Sequence, residues 1–158
     1  MSTLAPLRPS LAQGQRTFAI VASRFNESYV QGMIDHALEE FRALAPEAII
    51  TLHRVPGAFE IPIVVRELAL QKKADAILAL GVILKGQTDH AEHLARAVTD
   101  ALQKIALEHG VPVTNAVLSL EDEAQARERC LGSEINRGTE AARAAHGIAG
   151  TLAELRAR

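Results

Sequence analysis

The sequence predicts an α/β protein of three layers, a four-stranded parallel sheet between two layers of helices, and three observations predict it. Four short apolar segments alternate with stretches whose apolar residues recur every three or four positions, and parallel neighbours need such crossovers. The third segment, Asp75–Leu80, is an apolar run of the kind shown by a strand buried on both faces. A cluster of non-hydrophobic residues follows each strand: Ser23–Ser28, Pro56–Glu60, Lys85–His90 and Ser119–Asp122. In open parallel sheets ligands bind outside the strands' carboxyl ends, so these four clusters predict one site.

The elements follow in order. Residues 1–16 hold Pro6, Pro9 and Gly14, lack the continuous apolar core of a signal peptide, and are expected to form a tail before a single domain over 17–158. Thr17–Ala22 is the first strand, and Ser23–Ser28 breaks it with residues that favour loops and caps. Val30, Met33, Ile34, Ala37, Leu38 and Phe41 line one face of a helix that ends before Pro46. Residues 47–55 alternate loosely into a second strand. Val55–Pro62 then turns into a helix whose stripe is Ile61, Val64, Val65, Leu68 and Ala69, with Pro62 in its first turn, where a missing N–H is harmless. After the third strand the run Gly81–His90 is read as a glycine-containing loop that opens a helix over 90–108, striped by Leu94, Ala97, Val98, Ala101, Leu102 and Ile105 and closed by Gly110. Pro112–Leu120 is the fourth strand. Glu121–Leu131 is expected to be helical, and residues 136–157 form the last helix.

Composition narrows the function. Seventeen basic and nineteen acidic residues give a net charge of -2 and a pI near 6.3, which points away from nucleic acid and membrane surfaces and toward small polar ligands. Cys130 is the only cysteine, so an intrachain disulfide and a cysteine-rich zinc site are excluded, and a cytoplasmic, soluble protein is expected. The longest mostly apolar stretch, around Ala74–Leu84, is far short of the roughly 20 residues a membrane helix requires.

The junction Gly81–His90 carries the expected chemistry. Unpaired N–H groups and the positive end of a helix dipole can hold an anion there, with Gly86 letting backbone approach, and His90 in the first turn can exchange protons near neutrality. Gln87 and Thr88 offer donors for a phosphate or serve only as a turn. Phe25 stacks on a planar heterocycle or plugs the sheet edge. Glu60 accepts from ligand hydroxyls or caps its own helix, and Gly57 and Ala58 let backbone reach a ligand. His90 and His93 stand three apart beside Asp89 and Glu92, but without a further ligand at a defined spacing no metal site is assigned. Arg127, Arg129 and Arg137 form a solvated face or supply a phosphate clamp.

Taken together, Ser23-Arg-Phe-Asn26, Val55-Pro-Gly-Ala-Phe-Glu-Ile-Pro62, Gly81-Val-Ile-Leu-Lys-Gly-Gln-Thr-Asp-His90, and Gln125-Ala-Arg-Glu-Arg129 followed by Asn136-Arg-Gly138 resemble the lumazine synthase family, in order and in spacing, from about residue 17 onward. The family makes 6,7-dimethyl-8-ribityllumazine from 5-amino-6-ribitylamino-uracil and 3,4-dihydroxy-2-butanone 4-phosphate, with release of phosphate and water and without metal or redox cofactor. The resemblance implies that Phe25 stacks on the pyrimidine, that the backbone at Ala58, Phe59, Val82, Ile83 and Leu84 reads its edges, and that Asn26 and Glu60 hold the ribityl chain. It implies phosphate binding by Gly86, Gln87, Thr88 and Arg129, and proton transfer by His90, supported by Glu140 and Arg137.

The sequence departs from the family at four of these places. Ala91 and Asn115 stand where relatives often carry aromatic residues, the second reaching a neighbouring subunit's site. Lys85 and Arg137 exchange one cation for the other. The resemblance implies a homo-oligomer, a pentamer with each active site between subunits, and riboflavin synthase as a partner. The short link Leu131–Asn136 matches members that build 60-subunit icosahedral shells, whereas Pro6 and Pro9 oppose a tail that pairs as a strand, so the shell stays open. Two other readings compete: a flavin- or lumazine-binding or shell-forming homologue without turnover, and a generic flavodoxin-like phosphate-binding domain.

Overall fold

The computed structural model describes residues 4–9 and 15–157; Gly14 of the expected tail and Arg158 at the end of the expected domain lie outside them. Among the described residues, β1 (Thr17–Ser23), β2 (Ile49–Val55), β3 (Ala76–Leu84) and β4 (Val113–Leu120) form one parallel sheet in the order β2-β1-β3-β4. The helices are α1 (Glu27–Leu44), α2 (Ile61–Gln71), α3 (His90–His109), a short α4 (Glu123–Ala126) and α5 (Arg137–Arg156). No described helix is long and apolar enough to cross a membrane.

The period-2 alternation of the strands divides the core into two layers. Phe18, Ile20 and Ala22 of β1 and Leu78, Leu80 and Val82 of β3 face Val30, Met33, Ile34 and Phe41 of α1 and Ala141, Ala142 and Ala145 of α5. Ala19 and Val21 of β1 and Ile77, Ala79 and Ile83 of β3 face Ile61 and Val65 of α2 and Val98, Leu102 and Ile105 of α3. β3 is therefore buried on both faces, as its unbroken apolar run requires, and it runs to Leu84, four residues past the expected end.

The segment expected as one helix over 121–131 changes character midway. The α4 turn, capped by Asp122 through Gln125 N–H at 2.9 Å, passes into a π-helical turn over Arg127–Leu131 closed by Gly132 N–H to Arg127 O at 3.0 Å. That wider turn is fitted to α1 at Gly32, where a Cβ would lie 2.6 Å from the Cys130 carbonyl. Asn136 then starts α5. Its Oδ1 accepts from Gly138 N–H and Thr139 N–H at 2.9 and 3.2 Å, while its Nδ2 donates to the carbonyls of Cys130 and Gly132 at 3.0 and 2.9 Å. One buried side chain thus caps one helix and terminates another.

Candidate active site

The chain leaves β1 for β2 on one side and leaves β3 for β4 on the other, so the winding reverses between β1 and β3. Sheets of this kind open a crevice at that point. β3 pairs with β1 only as far as Leu80, opposite Ala22, but with β4 as far as Leu84, opposite Leu120. Residues Gly81–Leu84 therefore extend beyond β1, alongside the loop Arg24–Asn26. Asn26 takes a left-handed conformation (φ 57°), which its short polar side chain tolerates, and its Nδ2 donates to Val82 O at 2.8 Å. Arg24 N–H and Phe25 N–H donate to the carbonyls of Val55 and Pro56 at 2.8 and 3.1 Å. The loop is thereby held by the ends of β2 and β3, while the Phe25 ring itself is 71 % exposed. It is not a plug on this chain's own core.

Around this loop stand most of the residues expected from sequence. Ala58 is buried and Phe59 and Glu60 are exposed on a 3-10 turn that leads into α2. Glu60 Oε2 accepts from Gly57 N–H at 3.0 Å, so its capping role is realised within the chain. From Lys85 to His90 the chain is exposed. Lys85 N–H continues the ladder to Leu120 O at 2.9 Å, and its ammonium pairs with Glu121 at 3.2 Å. Gly86 is not in a positive-φ conformation, and a Cβ there would meet nothing described within 4 Å. Nothing in the chain's own packing demands glycine at 86, and its bareness leaves backbone open to approach. His90 opens the 20-residue α3; Asp89 makes no side-chain cap, and Thr88 Oγ1 accepts only a long 3.4 Å bond from His90 N–H. First-turn N–H groups of α3 thus remain available beside an exposed imidazole.

The remaining expected residues lie elsewhere. Asn115 is opposite Ala79 in mid-strand, five residues before the end of β3 and so about 16 Å short of it. Its Nδ2 donates to Thr99 Oγ1 at 3.1 Å and its Oδ1 accepts from Val117 N–H at 3.0 Å. Arg129 sits in the π-helical turn on the α1 side, its side chain 15 % exposed and paired with Glu128 at 3.2 Å. Arg137 pairs with Glu140 in the first turn of α5, and both border a groove of about 330 Å³ that also touches Asn115 and Pro6. Glu140 Oε1 is buried there without a hydrogen-bond partner among the described residues. Within one chain, Glu140 and His90 do not meet, because α5 and α3 pack on opposite faces of the sheet.

Sequence reading missed Arg54. Its guanidinium, on β2, donates to Gln31 Oε1 at 3.1 Å and to Ser23 O at 3.3 Å. The only local signal is a cation next to last in a strand, which is common on edge strands. Among the described residues no three His, Cys, Asp or Glu side chains gather as a metal set.

The fold and this crevice define a flavodoxin-like α/β protein with an exposed aromatic ring on one side of its switch point and, on the other, an exposed loop that opens a helix at a histidine. Residues 15–153 match the family described as 6,7-dimethyl-8-ribityllumazine synthase. The chain is also 39 % identical over 141 residues to a 6,7-dimethyl-8-ribityllumazine synthase of Halorhodospira halophila (strain DSM 244 / SL1), an alignment covering 89 % of this chain and 90 % of that one. The chain belongs to the 6,7-dimethyl-8-ribityllumazine synthase family.

Proposed function

We propose that the chain is the enzyme of riboflavin biosynthesis that its family name describes, condensing 5-amino-6-ribitylamino-uracil with 3,4-dihydroxy-2-butanone 4-phosphate. The observation that carries this is the Asn26–Val82 bond, which sets an exposed, unpacked phenylalanine beside the free end of β3, next to the loop that opens α3. Phe25 stacks on the pyrimidine, and the backbone of Ala58, Phe59 and Val82–Leu84 meets its polar edges. Asn26 Oδ1 and Glu60 face the ribityl hydroxyls. Gly86, Gln87 and Thr88 with the first turn of α3 receive the phosphate.

The pyrimidine amine attacks the ketone, water leaves to give an imine, phosphate is eliminated, and the ring closes with loss of a second water. Each step moves a proton, which suits His90, and holding two substrates together supplies much of the rate. Asn115, Arg129, Arg137 and Glu140 join this site from a neighbouring subunit. Their place on the far edge and opposite layer supports a homopentamer with its sites between subunits. A 60-subunit shell, a cytoplasmic setting and association with riboflavin synthase belong to the same proposal, with residues 17–158 as the catalytic domain and 1–16 as its tail.

The test mixes the protein with both substrates and follows lumazine fluorescence against the uncatalysed background. Acceleration establishes the enzyme. Tight lumazine or riboflavin binding without acceleration favours a binding or shell-forming homologue, the reading suggested by Asn115, whose side chain is already taken up by Thr99 and Val117.

A further inference from the structure

Arg54 has no task in the reaction above, yet it is not a surface arginine. Its side chain is 14 % exposed, and its guanidinium donates to two acceptors, Gln31 Oε1 at 3.1 Å and Ser23 O at 3.3 Å, and forms an ion pair with Glu27 Oε1 at 3.6 Å. These partners bracket the loop that carries Phe25. Ser23 is the last residue of β1, Glu27 the first of α1, and Gln31 lies one turn further on. The backbone that follows Arg54 holds the same loop, through Val55 O to Arg24 N–H and Pro56 O to Phe25 N–H.

The Phe25 ring is mostly exposed, so packing within the chain does not fix its orientation, and its backbone must. A planar guanidinium donates through separate nitrogens held in a fixed fork, so it bonds α1 and the end of β1 at once, a geometry the single ammonium nitrogen of a lysine does not reproduce. Partial burial strengthens those bonds, since water competes poorly there. We infer that Arg54 is a positioning residue: it locks the exit of β1 to the first turns of α1 and so sets the pitch of the Phe25 ring over the pyrimidine subsite. This rests on the proposed stacking role of Phe25.

The experiment measures KM for each substrate separately in the assembled wild-type protein and in Arg54→Lys, Arg54→Leu and Phe25→Ala, together with amide exchange at Arg24 and Phe25. In both Arg54 variants KM for the pyrimidine rises by roughly three- to ten-fold, and no further than in Phe25→Ala, because only the Phe25 stacking contact is disturbed. KM for the butanone phosphate stays within about two-fold, since its site lies on the α3 loop, and exchange at Arg24 and Phe25 quickens. If Arg54→Leu does not fold, Arg54→Lys keeps the charge and carries the test. An unchanged pyrimidine KM in a folded Arg54 variant overturns the role, as does an equal rise in both KM values, which would mark general loosening. If Phe25→Ala itself leaves the pyrimidine KM unchanged, the stacking reading falls and Arg54's role falls with it; a rise in Phe25→Ala alone removes only Arg54.

Discussion

The side-chain amide of Asn26 donates to the main-chain carbonyl of Val82 at 2.8 Å, joining the loop after β1 to the part of β3 that outruns β1. Asn26→Asp keeps a side chain that tolerates the left-handed backbone but turns a donor into an oxygen facing the Val82 carbonyl. The expected outcome is a loss of about 1–3 kcal/mol in stability, read from denaturant midpoints, with weaker pyrimidine binding. Asn26→Gly, which keeps the backbone freedom and loses the bond without repulsion, falls between wild type and Asn26→Asp.

Phe25→Ala separates binding from folding. The ring is 71 % exposed, so stability stays within about 0.5 kcal/mol. Loss of a stacking partner weakens the pyrimidine or product by about 1 kcal/mol or more, measured by fluorescence titration. A preserved dissociation constant argues against the stacking role.

His90→Ala tests the proton shuttle. The imidazole is exposed at the first position of α3, so folding and pyrimidine binding are expected to persist. The rate constant at saturation falls by about a hundred-fold or more, within the range of a lost general acid or base. Equal turnover in the two proteins removes His90 from the chemistry.

Two glycines should respond oppositely to alanine. At Gly138 a Cβ would press on the Met33 main-chain carbonyl, where α5 crosses α1 backbone to backbone, and neither side can yield cheaply. Gly138→Ala is expected to cost about 3 kcal/mol in thermal or denaturant unfolding. At Gly86 a Cβ meets nothing, so Gly86→Ala leaves stability within about 0.5 kcal/mol and instead weakens inhibition by inorganic phosphate.

Cys130 gives an alkaline signature. Burial pushes its thiol up to about 12, opposed in part by the neighbouring Arg129 cation. The unfolded chain releases this proton near the ordinary thiol value, while the folded chain keeps it. The contribution to stability is therefore fully present below about pH 8.5 and is lost as pH rises toward 12. Denaturant midpoints between pH 8 and 11 should fall more steeply in wild type than in Cys130→Ala, and a thiol reagent should leave the native protein untouched at neutral pH.

Much of this fold was legible in one dimension. The apolar spacing of Val30, Met33, Ile34, Ala37 and Phe41, or of Val98, Leu102 and Ile105, names the buried face of a helix because neighbours on a helix are three and four residues apart. The strand and helix order puts Ser23–Ser28 and Lys85–His90 at carboxyl ends, and the crevice between them follows from chain direction. The π-helical turn was not legible: the residues over 127–131 suit an ordinary helix, and the wider turn answers to its contact with Gly32 on α1 and to the Asn136 bonds beyond it.

What the sequence by itself determined is the inventory: the elements, the layer each strand residue faces, and the loops after the strands that carry Phe25, Gly86 and His90. Such properties depend on neighbours a few residues away, and hydrophobic period and loop chemistry report them directly. Only the tertiary structure decided which of those groups share a space. It placed Phe25, Asn26, Val82 and His90 around one switch point and Asn115, Arg129, Arg137 and Glu140 on the far edge or the opposite layer, and it brought Arg54 beneath the Phe25 loop. The hydrogen bonds of Asn26 and Arg54 that hold the Phe25 loop join residues from 23 to 56 apart in sequence across strands whose lateral order is set by the packing of whole helices, and no local period encodes that order.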